Sequence, residues 1–224
     1  MSRDIFISHS WGKDILNRPN HERAKYLSNL LVNQGYSVWF DEYDLIGNID
    51  NAIIKGINDC KVVIICLTES YCNKINNSVY NNLPNDNCYK EWNYCLFKKK
   101  RIIPIIMEPT MPNIFLSQDG VIQMYLNNLM FINFCDYNKN EISNLYKTLY
   151  KYNVLNKNQK DELKSKTNLQ LDKIRGYIET NLSPKKYLIF TNKTKKNNSQ
   201  FFCWNFNFKS TRNLFNKKRM ILRV

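Results

Sequence analysis

The first apolar block, Asp4–Ser8, stops at the polar run His9-Ser10-Trp11-Gly12, the pattern of a short buried strand. A polar loop through Arg18-Pro19-Asn20 follows. From Glu22 to Gln34, Ala24, Leu27, Leu30 and Leu31 recur at helical spacing, and Gly35 supplies a stop. Tyr36–Phe40 is β-branched and aromatic and reads as a strand, with Asp41–Asn48 as a loop. Ile49, Ile53 and Ile57 predict a short amphipathic helix with Asp50 in its first turn. Val62–Leu67 is a wholly apolar strand. Glu69–Asn87 begins helical and becomes an Asn-rich insertion around Pro84. Tyr89, Trp92 and Leu96 predict a helix ending at Lys98-Lys99-Lys100. Ile102–Met107 is a strand stopped by Pro109 and Pro112, and Leu129–Phe134 is the last strand. Ile142, Leu145, Tyr146 and Leu149 make a closing helix.

Strand and helix thus alternate five times, and two strands are continuous apolar runs that need burial on both faces. The expectation is an α/β fold with a five-stranded parallel sheet and helices on both sides. Ligands of such sheets sit beyond the carboxyl ends of the strands, here Ser8–Gly12, Asp41–Glu42 and Thr68.

The character changes after Asn156. Leu171, Ile174, Ile178 and Leu182 predict an amphipathic helix at about residues 158–182. Lys185–Val224 then mixes basic and apolar residues without clean periodicity. The expected organisation is one domain over residues 1–152 and a basic extension over 153–224, a helix followed by little order. Charge follows the same division. Of the net +14, residues 1–150 contribute nothing, with 15 Lys+Arg against 15 Asp+Glu. Residues 151–224 carry 18 against 4. The basic character therefore describes a tail and does not make the first domain a nucleic-acid binder.

Composition removes several functions. No apolar run is long enough to cross a bilayer as a helix, and the start shows no signal-peptide pattern, so a cytoplasmic protein is expected. Seven Cys without C-x-x-C pairs read as reduced thiols. The two His, His9 and His21, fit no metal-ligand spacing, so no metal site is expected. Six Gly form neither a G-x-G-x-x-G nor a P-loop, and no G-x-S-x-G occurs.

Three segments in order resemble a TIR (Toll/interleukin-1 receptor) domain. They are Asp4-Ile5-Phe6-Ile7-Ser8-His9-Ser10; Gly35–Asp41 followed by Leu45-Ile46-Gly47; and Asn87-Cys88-Tyr89-Lys90-Glu91-Trp92, which is similar to the family's C-x-x-E helix motif. The run Asn48-Ile49-Asp50…Ala52 and the lead-in Asn85-Asp86-Asn87-Cys88 resemble TIR proteins of protists and other microbes. The resemblance covers about residues 1–150. It implies a flavodoxin-like fold with strand order 2-1-3-4-5. It also implies one of two activities: cleavage of NAD at the nicotinamide–ribose bond, by hydrolysis or cyclisation on self-assembly, or a non-catalytic signalling scaffold acting through TIR–TIR contacts. NAD is then a substrate, and no cofactor is expected.

By motif position Glu91 is the catalytic carboxylate, against the plain reading of an exposed helix Glu. Nicotinamide leaves a ribosyl cation as a neutral amine, so one carboxylate that holds the ribose and stabilises the positive charge suffices. Around it, Trp11 is a candidate to stack on a heteroaromatic ring or to pack on the sheet edge. Ser8 and Ser10 are candidate hydrogen-bond donors to substrate or turn caps. Asp41 contacts ligand or begins the loop turn, and Cys88 is a reactive thiol near the helix start or packs in the pocket wall. His9 reads as structural. Leu45, Ile46 and Gly47 form an apolar tip in a polar loop, which the resemblance assigns to docking on a neighbouring TIR domain in a homo-oligomer, against the plain reading of a staple onto the protein's own second helix. In the tail, basic residues alternate with aromatics (Lys185-Lys186-Tyr187, Lys193–Lys196, Phe201–Phe208, Arg212–Arg219). They read either as a contact for nucleic acid or an anionic membrane, or as an extension without such a role.

Overall fold

The computed structural model describes residues 3–113, 120–126 and 129–181. Five strands form one parallel sheet: β1 (Ile5–Ser8), β2 (Val38–Trp39), β3 (Val62–Leu67), β4 (Arg101–Ile106) and β5 (Ile132–Asn133). Their order is β2-β1-β3-β4-β5, and every pair is parallel. The helices are α1 (Asn20–Asn33), α2 (Asp41–Asp44), α3 (Ile49–Asp59), α4 (Glu69–Tyr80), α5 (Asn87–Phe97), α6 (Val121–Leu126), α7 (Lys139–Lys151) and α8 (Lys157–Asn181). The five-stranded parallel sheet, its order and its flanking helices agree with the expected fold.

The period of two along each strand divides the core into two layers. Phe6 on β1 and Val63, Ile65 and Leu67 on β3 face α3, α4 and α5, whose Ile57, Tyr71 and Trp92 close that layer. Ile5, Ile7, Val62, Ile64 and Cys66 face the opposite way, onto Leu27 and Leu31 of α1 and Leu145 and Leu149 of α7. Ser8 follows Phe6 by two residues, so its side chain belongs to the α3–α5 side of the sheet.

Trp39 stacks on Phe6 with ring centroids 4.2 Å apart. Gly56 of α3 lies against it: a Cβ there would meet the indole at 2.7 Å. Gly56→Ala should therefore cost about 1–3 kcal/mol through overpacking. Urea unfolding tests this, and an unchanged midpoint would show that α3 can shift away from the indole.

Four elements differ from the sequence expectation. β2 shrinks to the two residues that pair with Ile5 and Phe6 of β1, and the Ser37 carbonyl at its start accepts from both Asp4 N and Ile5 N. β5 also keeps two residues, with Met130 and Phe131 exposed before it. The loop expected at Asp41–Asn48 opens with the short helix α2, whose Asp44 carboxylate accepts from Phe40 N at 3.0 Å. Helix α6, with Ile122 and Leu126 buried, forms where no element was expected.

The chain divides into a compact unit ending at Thr167 and a second beginning at Asn168. The first turn of α8 belongs with the sheet. Lys157 N donates to Gly35 O at 2.9 Å, and Lys160 Nζ pairs with Asp4 at 2.7 Å. Burial works to raise the Asp4 carboxyl, but hydrogen bonds from Lys160, Ser37 N and Lys61 outweigh it and hold the group below the usual range. The second unit is described only as the rest of α8, to Asn181. The basic–aromatic tail beyond it lies outside the described residues. No helix among the described residues is long and apolar enough to cross a membrane.

Candidate active site

Helix α5 starts on Asp86, whose side chain accepts from Cys88 N and Tyr89 N. Its buried stripe is Cys88, Trp92 and Cys95. Glu91 lies on the same side as Cys88, one turn further on, and is brought against the carboxyl end of β1. There Ser8 Oγ donates to Glu91 Oε2 at 2.6 Å. Ser8 lies 2.8 Å from the buried Tyr71 hydroxyl, which donates to it because the serine proton is already committed. With Glu91 ionised, the result is a directed chain, Tyr71 to Ser8 to Glu91.

Removal from water pushes the Glu91 carboxyl up to about 8; Asp41 and Asp86 add to the rise, while the Ser8 hydrogen bond and Lys74 oppose it. Such a displacement in a carboxyl at the ligand end of a parallel sheet makes Glu91 a candidate functional group.

Cys88 is buried, and its Sγ donates to His9 O at 3.5 Å. Burial, Glu91 and Asp86 all raise its thiol, which disfavours the thiolate that a nucleophile needs. Trp11 is 60% exposed and its Nε1 donates to Asp41 Oδ2 at 3.1 Å. Its indole stacks on His21 with centroids 4.1 Å apart, leaving a broad aromatic face at the rim. Asp41 opens α2, and its Oδ1 also accepts from Glu42 N. Ser10 is placed otherwise. Its hydroxyl is buried between Thr68 Oγ1 at 3.0 Å and Asn20 Nδ2 at 3.2 Å, and the structure shows no bond between it and Glu91. Leu45, Ile46 and Gly47 follow α2. Ile46 is 82% exposed and Leu45 37%, and Gly47 has a φ of +79° with open space around it.

The sequence reading missed Tyr71, the Asp86 cap and the pairing of the two histidines. Asp86 carries a legible signal, an Asp just before an apolar helical run. Tyr71 does not, because a buried Tyr on an amphipathic helix reads as core. His9 Nε2 and His21 Nδ1 lie 2.9 Å apart. Burial drives His9 down to about 4, and His21 and Lys74 add to this against the pull of Asp41, so its ring is neutral at pH 7. A separate cleft of about 430 Å³ lies between the segment after β1 and α4, lined by Lys13, Asp14, Glu69, Asn73, Lys74 and Glu108. Glu91 is not among its walls, so the shallow cleft and the candidate carboxyl are neighbours and not one site.

A search of curated proteins finds no match. Among solved structures, the TIR domain of the Toll-related receptor TRR-2 from Hydra magnipapillata is similar at 17% identity, over 67% of this chain and 97% of that one, with a TM-score of 0.43. The TIR domains of the activated Roq1 resistosome, which directly recognises the pathogen effector XopQ, are similar at 16% identity, over 67% and 99%, with a TM-score of 0.42. The family model described as TIR domain matches residues 5–150, well over half of the sequence, and the chain therefore belongs to the TIR domain family.

Proposed function

We propose that the chain cleaves NAD at the nicotinamide–ribose bond, with Glu91 as the catalytic carboxylate. The observation that carries this reading is the Glu91 carboxyl, held by Ser8 at 2.6 Å and withdrawn from water at the ligand end of the sheet. Breaking the N-glycosidic bond returns the bonding pair to the pyridinium nitrogen, which leaves as neutral nicotinamide and needs no acid. The ribosyl cation left behind takes water to give ADP-ribose and a proton, or takes a nucleophile of the adenine to cyclise. A carboxylate beside the ribose hydroxyls, partly shielded from water, stabilises that cation more strongly than an exposed one would. Ser8, fixed by Tyr71, sets the carboxylate's direction. Trp11 offers its exposed face to a heteroaromatic ring, Asp41 holds that indole, and Cys88 completes the wall. Incubating the purified full chain with NAD at high protein concentration tests the proposal. Free nicotinamide is expected, and its absence would favour the scaffold reading.

That second reading has its own observation in the apolar tip after α2. An exposed Ile46 beside Leu45 is the kind of surface a partner covers. Self-association with other TIR domains through this loop fits both readings, since a neighbour's loop completing the site would make activity depend on assembly. Ile46→Asp is expected to leave the unfolding midpoint within about 0.5 kcal/mol, because the side chain is exposed. It should weaken self-association by at least tenfold, because a charge buried unpaired at a contact is costly. Sedimentation and specific activity measured on the same samples check this. A variant that associates and turns over like the unmodified protein would make the loop a passive surface.

A further inference from the structure

We propose that His9, His21 and Asp41 form a binding site for one divalent transition metal ion of the zinc class. The three residues are distant in sequence, and the fold gathers them. His9 follows β1, His21 is the second residue of α1, and Asp41 is the first of α2. One ligand atom from each lies within 4.8 Å of the other two. His9 Nε2 and His21 Nδ1 are 2.9 Å apart, His9 Nε2 and Asp41 Oδ2 3.6 Å, and His21 Nδ1 and Asp41 Oδ1 3.8 Å. Zinc takes imidazole nitrogen and carboxylate oxygen at about 2.0–2.2 Å in a tetrahedron, whose edges are then about 3.4 Å. The two nitrogens lie closer together than that edge, and each is within a few tenths of an ångström of it from a different Asp41 oxygen, so small side-chain rotations would seat an ion on the two nitrogens and one of these oxygens. Two imidazoles and one carboxylate suit zinc, and also cobalt and nickel. Three protein ligands leave a further position for water or an anion.

The bland alternative is a hydrogen-bonded histidine pair. The residues behind the triangle favour a metal site over it. His21 Nε2 lies 3.3 Å from Glu42 Oε2, and a carboxylate accepts, so Nε2 carries the proton and Nδ1 presents its lone pair to the triangle. This carboxylate–histidine arrangement is the usual support of a metal-bound imidazole. Glu42 is itself held by Lys25 Nζ at 2.8 Å. Asp41 is oriented by two donors, Trp11 Nε1 and Glu42 N. The His9 ring is fixed against Phe40, with centroids 5.3 Å apart. Loading requires only that neutral His9 shift its single proton from Nε2 to Nδ1, which frees the Nε2 lone pair for the ion. The ion would join the end of β1, α1 and α2, and thereby fix the base of the loop that carries Ile46.

The test is cobalt titration of the metal-stripped full chain in the absence of NAD, followed by displacement with zinc, so that its outcome is independent of the NAD reading. One cobalt per chain is expected, with a visible ligand-field band and no thiolate-to-cobalt charge-transfer absorption. His21→Phe keeps the ring against Trp11 and Phe40 and removes the nitrogens; it should weaken binding by about 100-fold or more. Glu42→Gln should weaken it by about tenfold. If His21→Phe fails to fold, Asp41→Asn, at a partly exposed position, takes its place with the same expectation. No saturable binding, a charge-transfer band from one of the cysteines, or substitutions that bind as tightly as the unmodified chain would overturn the proposal.

Discussion

Glu91→Gln should abolish nicotinamide release and, at the same time, make the protein more stable at pH 8. Gln keeps the shape and still accepts the Ser8 proton, but it carries no charge to stabilise a ribosyl cation. The loss of rate expected for a carboxylate in that role is at least about 10³-fold. The stability gain follows from proton linkage. In the unfolded chain the carboxyl titrates near its ordinary 4.5, whereas in the folded protein burial raises it to about 8. Between these pH values the folded state holds a proton that the unfolded state has lost. The carboxyl therefore contributes a stability that falls as pH rises from about 4.5 to about 8 and then levels off. A neutral Gln shows no such fall. At pH 8 the variant should be more stable by about 1–3 kcal/mol, less than the full displacement would give because Glu91 keeps some solvent contact. At pH 4.5 the difference should largely vanish. Urea unfolding at the two pH values reads this directly, and a variant less stable than the unmodified protein at pH 8 would mean that Glu91 is not strained in the fold. An inactive but stabilised variant is the signature of a site in which function opposes stability.

The second large effect concerns Arg23, which the fold buries almost completely. Its Nη1 reaches Asp14 Oδ2 at 3.1 Å and also donates to Met107 O, its Nη2 reaches the carbonyls of Phe134 and Cys135 at 3.2 Å, and its Nε reaches the Tyr137 hydroxyl at 3.1 Å. One guanidinium thus closes the carboxyl ends of β4 and β5 and neutralises Asp14. Arg23→Met fills much of the volume but leaves Asp14 with Arg18 as its one cationic partner among the described residues, removes one of two donors to the Met107 and Cys135 carbonyls, and takes the guanidinium from Phe134 O. It should cost about 2–4 kcal/mol, from the unpaired buried carbonyl and the weakened pairing of Asp14. Arg18 also reaches Asp14, at 2.7 Å, but is partly exposed, so Arg18→Met should cost clearly less. Denaturant midpoints of the two variants check the order. An Arg23→Met protein within 1 kcal/mol of the unmodified one would show that water replaces the guanidinium.

Much of this architecture was legible because it rests on burial. Val62–Leu67 reads as a strand covered on both faces, and it is one. Ile49, Ile53 and Ile57 mark α3, and Leu145 and Leu149 mark α7. What the sequence concealed rests on individual polar contacts. Helix α2 has no apolar periodicity and owes its start to the Asp44 carboxylate on Phe40 N. Met130 and Phe131 look like strand but find no ladder at the edge of the sheet. Helix α6 is a six-residue, mostly apolar segment, too short for periodicity to assign. Arg23 sits on the buried face of α1, where a charged residue reads as exposed. At the candidate site, Glu91 is visible only through its motif. Its Ser8 partner follows from counting two residues on from Phe6 along β1. The histidine pair is invisible because the two rings meet only after α1 has folded back beside the end of β1.

The central claim, that the ionised Glu91 carboxylate drives NAD cleavage, is tested most directly by nicotinamide release at low NAD concentration from pH 6 to pH 9. With the group at about 8, kcat/KM should rise about tenfold per pH unit below that value and flatten above it. Under saturating NAD the rise should move to lower pH, because the bound nicotinamide cation favours the carboxylate. Glu91→Gln should show no activity at any pH. Release that is independent of pH and unchanged in Glu91→Gln would contradict the claim.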